Sequence, residues 1–191
     1  LEPNGNMVID IGGGTTEIAV ISLGGIVTEK SIRIAGDEFT DNIKYYMKTR
    51  HNIAIGDTTA ERIKINVGSA LTELAEPPAN YPVHGRDLMT GIPKEIVVTY
   101  KEISGAMNNS IEQIEEAIMS ALFKTPPELS ADIYNTGLYL TGGGSMLRGL
   151  DKRISQKTKL PVYVAEDPLR AVARGTGIAL KNIEKFPFLI K

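Results

Sequence analysis

Short apolar runs separated by glycines open the chain. Apolar and β-branched residues cluster at 7–11 and 18–21 and alternate loosely over 26–34, with glycines at 12–14 and 24–25 between them. Runs of this length, bounded by glycine, are typical of strands joined by tight turns. This part of the chain is therefore predicted to form a three-stranded antiparallel meander.

Apolar positions spaced three and four residues apart predict helices further along. The spacing occurs over 37–50 and most regularly over 104–124, where two prolines end the pattern. Thr58 and Glu61 have the spacing of a capping box, which predicts a short helix ending near Val67. Further helices are predicted over 145–158 and 169–183, further strands near 83–87, 95–100, 137–141 and 162–164, and an apolar tail at 186–190 that docks on the same chain.

Composition narrows the class of protein. The 191 residues carry 21 Lys and Arg against 23 Asp and Glu, a net charge of -2, so no overall electrostatic footprint for nucleic acid is present. The absence of Cys excludes disulfides, thiol catalysis and thiolate metal sites. No apolar run approaches the ~20 residues of a membrane span. We expect a soluble, cytosolic α/β protein.

Two runs of three glycines follow predicted strands, at 12–14 and 142–144. Consecutive glycines let backbone N–H groups converge on an anion, and the hydroxyls of Thr15 and Thr16 can add donors. Asp10 is placed to hold a hydrated Mg²⁺ that bridges phosphate oxygens. Ser145 is predicted to begin a helix, whose N-terminus also favours a polar ligand. A single such run is more often a tight turn, but two of them favour one nucleotide between them.

Other nucleotide and catalytic motifs do not match the sequence. The first glycine run leads into a strand and lacks the Gly-x-Gly-x-x-Gly pattern of a dinucleotide site, and no Walker-type P-loop occurs. The segment 143–147 lacks the last glycine of the Gly-x-Ser-x-Gly nucleophile elbow. Such a serine also needs a histidine as general base, and the chain has only two His residues.

The segment 10–21 reads Asp-Ile-Gly-Gly-Gly-Thr-Thr-Glu-Ile-Ala-Val-Ile and resembles the phosphate hairpin of the actin, heat-shock chaperone and sugar kinase superfamily. Within that superfamily the chain resembles MreB, a family of bacterial actins, over nearly its whole length. The other segments that carry the resemblance are 32–38, 59–64, 85–88, 125–129 and 140–145.

The resemblance implies roles for particular residues. The first loop would hold the β- and γ-phosphates, with Thr15 or Thr16 helping to place the attacking water and Asp10 supporting Mg²⁺ through water. Residues 61–64 would flank ribose and adenine, and residues 142–145 would form the adenosine loop. The implied cofactor-binding residues are Gly12, Gly13, Gly14, Thr15, Thr16, Glu61, Arg62, Ile63, Lys64, Thr141, Gly142, Gly143, Gly144 and Ser145.

The fold implied is a ribonuclease H-like, actin-type ATPase lobe of the α/β class with a small inserted α+β subdomain. Residues 1–36 and 101–191 would form subdomain IIA, and residues 37–100 the insert, subdomain IIB. The chain would correspond to the carboxy-terminal half of an MreB. The family's first phosphate hairpin and catalytic glutamate would lie in the preceding half, so this chain alone is expected to bind ATP weakly and not to hydrolyse it.

The implied function is that of one lobe of an ATP-dependent filament that organises cell-wall synthesis and rod shape, with ATP or ADP and Mg²⁺ as cofactors. Implied partners are further copies of the protein, the membrane adaptor RodZ and the cell-wall elongation machinery, with no nucleic acid and no direct membrane contact by this part. The full protein would be cytoplasmic, at the inner face of the membrane. Two alternatives stay open: the lobe of a small-molecule phosphotransferase of the same superfamily, and a non-catalytic interaction module.

Overall fold

The computed structural model describes residues 4–182 and gives a mixed α/β architecture. In chain order its elements are β1 (Asn6–Ile11), β2 (Thr16–Ser22), β3 (Gly25–Ile32), α1 (Gly36–His51), β4 (Ile53–Ala54), α2 (Asp57–Val67), β5 (Tyr81–Asp87), β6 (Pro93–Val98), α3 (Tyr100–Lys124), α4 (Pro127–Thr136), β7 (Leu138–Thr141), a 3-10 turn (Gly143–Met146), α5 (Leu150–Thr158), β8 (Val162–Val164) and α6 (Ala171–Lys181).

The larger sheet has five strands in the order β3-β2-β1-β7-β8. β1 pairs antiparallel with β2, and β2 with β3, so the predicted meander is confirmed. On its other side β1 pairs parallel with β7, and β7 with β8. Since β1 and β7 run in the same direction, the glycine loops that follow them leave the same edge of the sheet. The smaller sheet is antiparallel, in the order β4-β5-β6.

The core lies between the larger sheet and the helices. Alternate residues of β1, namely Met7, Ile9 and Ile11, are fully buried, as a strand with one face against the core requires. α3 packs against β2 and β3 with the apolar stripe that the sequence predicts, which includes Ile111 and Ile118. This packing fixes the strand ends from which the two glycine loops leave.

Two predicted helix starts are corrected by the structure. α2 has Gly56 as its N-cap and no side-chain cap hydrogen bond, so the capping box of Thr58 and Glu61 is wrong. The carboxylate of Glu61 instead contacts side chains that project from α1 and α2. A capping box does occur at the start of α3, between Thr99 and Glu102, and it begins that helix before the predicted position.

The segment after β7 also differs from the prediction. A single helix is predicted over 145–158, but the structure has a 3-10 turn, a break, and then α5 from Leu150. The break contains Gly149, whose φ of 77° lies in the left-handed region that glycine adopts without a steric cost. α4 and the two-residue strand β4 are absent from the sequence-based prediction. The last helix begins at Ala171, and residue 183 and the apolar tail lie outside the described residues.

Candidate functional site

The loop between β1 and β2 is held against the start of α1. The Gly12 N–H donates to the Thr15 carbonyl at 3.0 Å, which closes the turn. The loop's carbonyls on Gly12 and Gly13 accept from the N–H groups of Gly36 and Asp37, at 3.1 and 2.8 Å. These bonds fix the loop backbone, while Gly13 and its two successors in the chain are exposed.

The loop after β7 lies directly beside the first one. Gly142 has a φ of 80°, and a Cβ on it would overlap the Asp10 carboxylate and the Ile11 carbonyl. Its N–H donates to the Pro168 carbonyl at 3.0 Å, and its carbonyl accepts from the Ser145 hydroxyl at 2.7 Å. The two glycine runs, which the sequence places 130 positions apart, therefore form adjacent turns at one sheet edge.

A cleft of about 680 Å³ opens between these loops, the start of α1 and one side of α2. Backbone from both glycine loops contributes to its wall, and the apolar part of the lining comes from Phe39, Ile65, Met146, Leu147 and Leu169. An apolar cleft with a few polar groups is the usual form of a small-molecule site. Of the residues predicted from the sequence, Gly12, Gly13, Glu61, Lys64, Gly143 and Gly144 line it.

Several other predicted residues do not face the cleft. Thr16 is fully buried in β2 and its hydroxyl donates to the Ile34 carbonyl at 2.6 Å, so the structure does not support water positioning by Thr16. Ile63 is a fully buried core residue of α2. The hydroxyls of Thr141 and Ser145 donate to backbone carbonyls. Thr15, Gly14 and Arg62 are exposed but lie outside the cleft wall, as does Gly142, which is buried beneath it.

The sequence-based prediction missed cleft residues that come from α1 and the chain after β7. Gly36 and Asp37 line the cleft because the start of α1 is hydrogen-bonded to the first glycine loop. In the sequence, Asp37 carries only the signal of an acidic residue in the first turn of a helix. Met146 and Leu169 reach the cleft from the 3-10 turn and from the segment before α6.

Asp10 lies at the end of β1, between the two loops. Antiparallel register places it opposite Glu17 and parallel register opposite Thr141. Burial raises the pKa of the Asp10 carboxyl, and the negative charge of Glu17 raises it further. A cation next to Asp10 would offset both effects.

The donor set suits a hydrated metal rather than a fully protein-bound one. Within residues 4–182, no three His, Asp or Glu side chains come together as a metal ion would require. Mg²⁺ in nucleotide sites is commonly held by one or two carboxylates, water and substrate phosphates. Asp10 supplies one carboxylate beside the glycine loop, which fits that requirement.

Known proteins with similar sequences decide the family. A match to the family described as MreB/Mbl protein extends over residues 1–187. The chain belongs to the MreB/Mbl family. It is 47% identical over 186 residues to the cell shape-determining protein Mbl of Bacillus subtilis, covering 97% of this chain and 55% of that protein. It is 46% identical over 183 residues to the cell shape-determining protein MreB of Escherichia coli, covering 96% and 52%.

Solved structures agree with the MreB/Mbl assignment. MreB5 of Spiroplasma citri bound to AMPPNP superposes with a TM-score of 0.92 at 40% identity, covering 96% of this chain and 55% of that one. MamK in a double helical filament superposes with a TM-score of 0.69 at 23% identity, covering 86% and 50%, and it bears on the fold alone. The predicted actin-type α/β fold is confirmed.

The chain spans about half the length of the relatives it matches. Among the residues that the structure describes, no helix combines the length and apolar character that crossing a membrane requires.

Proposed function

We propose that the cleft between the two glycine loops binds an adenine nucleotide. The observation that carries the proposal is the meeting of both loops at one sheet edge, where β1 and β7 run parallel and Gly142 contacts Asp10. Exposed consecutive glycines there give phosphate oxygens close access to backbone N–H groups. The MreB5 structures with AMPPNP and with ADP, at 40% identity, support the same ligand class.

Different residues would contact different parts of the nucleotide. Gly12 and Gly13 would hold the phosphates from the cleft wall, and the exposed Gly14 and Thr15 would add donors from the same loop. The apolar wall of Ile65, Met146 and Leu169 would cover the base. Glu61 and Lys64 would lie toward the ribose, and Gly143 and Gly144 toward the adenine. When bound with the nucleotide, Mg²⁺ would neutralise phosphate charge, and Asp10 would accept hydrogen bonds from its water shell.

We propose that these residues are one side of a site whose other side lies in the part of the relatives that this chain does not match. Charge-assisted hydrogen bonds contribute roughly 1.5–3 kcal/mol each. Three such contacts missing from the phosphates would weaken binding by about three to six decades. Residues 1–191 alone would then bind nucleotide only in the millimolar range and would not hydrolyse ATP.

The whole protein would be an ATP-dependent, filament-forming bacterial actin that organises cell-wall synthesis and rod shape. It would assemble with further copies of itself and with the adaptor RodZ and the elongation machinery, in the cytoplasm at the inner membrane face. We propose that 37–100 forms the inserted subdomain and that 1–36 with 101–191 forms the main one; the smaller sheet, whose strands lie between 53 and 98, agrees with this division.

A calorimetric titration with Mg-ADP tests the nucleotide proposal. The unmodified chain should bind in the millimolar range. Gly13→Ala should weaken binding because the added methyl group would lie 3.4 Å from the Asp37 carboxylate, between two residues that line the cleft. Gly105→Ala is the matched control, since an added Cβ there meets nothing within 4 Å and lies on α3. Equal binding by all three chains would contradict the proposal.

A further inference from the structure

The C-terminal end of α2 is capped by a side chain from the chain after β7. Arg148 lies between the 3-10 turn and α5, and its Nη1 donates to the carbonyls of Asn66 and Gly68, at 3.3 and 3.1 Å. The last carbonyls of a helix have no partner within it, and the partial negative charge there favours a cation. Arg148 therefore satisfies the end of α2 from the segment that carries the second glycine loop.

The main chain of Arg148 binds the same part of the molecule. Its carbonyl accepts from the Ala70 N–H at 2.8 Å, and the Ser69 hydroxyl lies 3.3 Å from that carbonyl. Ser69 is fully buried and forms an isolated parallel β-bridge with Arg148. The chain that leaves α2 is thus bound to one residue through both its side chain and its backbone.

Close packing surrounds this contact on both sides. A Cβ on Gly68 would lie 3.2 Å from Leu147 Cδ1, and a Cβ on Gly149 would lie 3.0 Å from Leu71 Cδ1. The segments on either side of the bridge therefore pack directly on each other. The position of the end of α2 follows that of the turn after β7.

This contact borders the cleft. The last two turns of α2 line the cleft with Lys64 and Ile65. The turn after β7 lines it with Gly144 and Met146, and Arg148 itself contributes to the lining. Because α2 is a rod of 11 residues, a shift of its C-terminal end moves both of its cleft residues toward or away from that turn. The separation of these two walls therefore depends on the contact at Arg148.

We propose that Arg148 is a positioning residue, which joins the C-terminal end of α2 to the turn after β7 and so sets the width of the nucleoside end of the cleft. This inference rests on the proposed function for the identity of the ligand. The two walls that it joins carry the residues proposed to lie toward ribose and adenine, whereas the phosphates are proposed to lie on the first glycine loop. Loss of the Arg148 side chain should therefore affect the nucleoside more than the phosphates.

Amide hydrogen exchange measured by NMR on the chain without nucleotide tests the contact itself. In Arg148→Met the amides of Gly68 and Ala70 should exchange roughly tenfold faster, the equivalent of about 1.4 kcal/mol, because this segment opens more often. The amide of Gly91, in the turn between β5 and β6, should keep its rate. Both affected amides should exchange faster than that of Ile9 in the core, which identifies a local opening.

Titration of the same chains with Mg-ADP tests the effect on the ligand. Arg148→Met should weaken binding about fivefold, as the loss of one hydrogen-bonded contact predicts. Extrapolated to saturation, the amide shifts of Gly143 and Gly144 should become smaller, while those of Gly12 and Gly13 persist. Arg148→Lys should recover part of the binding, since it retains a cationic donor for the same carbonyls.

Lys152→Met is the matched control, because it removes an exposed cation from the neighbouring helix α5. It should bind Mg-ADP and exchange its amides as the unmodified chain does. Unchanged exchange at Gly68 and Ala70 in Arg148→Met would overturn the inference, and so would an equal loss of shift at both glycine loops. Faster exchange there, with no binding of Mg-ADP by the unmodified chain, would refute the proposed ligand and support the contact.

A measurement on the unmodified chain covers the case in which Arg148→Met does not fold. If opening at Arg148 weakens binding, bound nucleotide must oppose that opening by the same factor, because coupling between two equilibria is reciprocal. Saturating Mg-ADP should therefore slow amide exchange at Ala70 about fivefold. The amide of Gly91, which donates to the Asp87 carbonyl, should keep its rate. An Ala70 amide that exchanges equally fast with and without Mg-ADP would overturn the inference.

Discussion

At the scale of single residues, the cleft depends on positions where only glycine fits. Gly142 combines a φ of 80° with direct overlap between any Cβ and the Asp10 carboxylate and Ile11 carbonyl. Gly91 has a similar φ of 75°, but a Cβ there meets nothing within 4 Å. Replacing Gly91 by Ala therefore measures the free-energy cost of the left-handed backbone alone, and replacing Gly142 measures that cost together with the cost of steric overlap.

We expect Gly142→Ala to cost about 1–3 kcal/mol more than Gly91→Ala, because overpacking adds to the left-handed backbone strain that both share. Urea denaturation of both variants gives the difference. Equal losses of stability would show that the second loop does not pack on β1 as described.

Asp10→Asn should stabilise the fold at neutral pH. The pKa of the Asp10 carboxyl is raised in the folded state by burial and by Glu17, so the folded chain holds its proton more strongly than the unfolded chain does. The contribution of this carboxyl to stability therefore falls as the pH rises from about 3.8 through the folded pKa, and the amide variant avoids this loss.

Thermal melts of both chains between pH 3 and pH 8 test whether the Asp10 carboxyl lowers stability as the pH rises. The advantage of Asp10→Asn should be present at pH 7 and vanish at the acid end, while the exposed control Glu29→Gln should stay within about 0.5 kcal/mol. The variant should also show a weaker dependence of nucleotide binding on Mg²⁺, because it lacks the carboxylate charge beside the phosphates. A destabilised Asp10→Asn at pH 7 would contradict this description of the carboxyl.

At the scale of elements, a buried ion pair joins α3 to α5. Arg153 Nε lies 3.0 Å from Glu115 Oε1, and the two side chains are 15% and 7% exposed. Arg153 also donates to the Ala70 carbonyl at 3.0 Å and to the Asn108 side chain at 2.8 Å. One guanidinium thus holds two helices and the segment after α2.

Arg153→Met should cost about 3–5 kcal/mol in unfolding free energy, since it leaves the Glu115 carboxylate buried without a partner. Chemical denaturation measures the loss, and Glu115→Met in the same chain should restore much of it. The control Lys101→Met removes an exposed pair with Glu73 and should change stability by about 1 kcal/mol or less. A small effect of Arg153→Met would show that α5 is held by apolar packing alone.

The sequence predicted elements well where the pattern is local. The meander follows from glycines between apolar runs, and α3 follows from five apolar residues spaced three and four positions apart over 107–122. The capping box was wrong because the Glu61 carboxylate pairs with Lys64 one turn along α2 and accepts from the Thr40 hydroxyl of α1, a tertiary partner that no local spacing reveals. α4 was missed because Ile133 is its one fully buried residue among those described, which leaves almost no periodicity to detect.

At the scale of the whole molecule, both glycine loops could be identified from the sequence, but the residues of α1 and of the chain after β7 that line the cleft could not. Their approach depends on the parallel pairing of β1 with β7, which joins residues more than a hundred positions apart. Asp37 and Leu169 line the cleft because of the same tertiary arrangement. Thr16 does not line it, because side chains alternate along β2 and that of Thr16 points into the core. Chemistry carried by a contiguous motif was predictable, and chemistry assembled from distant segments was not.

The most direct test of the nucleotide cleft is an NMR titration of this chain with Mg-ADP, with the shifts mapped onto the structure. We predict that the amides of Gly12, Gly13, Gly143 and Gly144 move together, with one dissociation constant in the millimolar range. Shifts confined to other surfaces, or none at all up to about ten times that range, would contradict nucleotide binding here. Micromolar binding would contradict the claim that the phosphates need contacts from outside this chain.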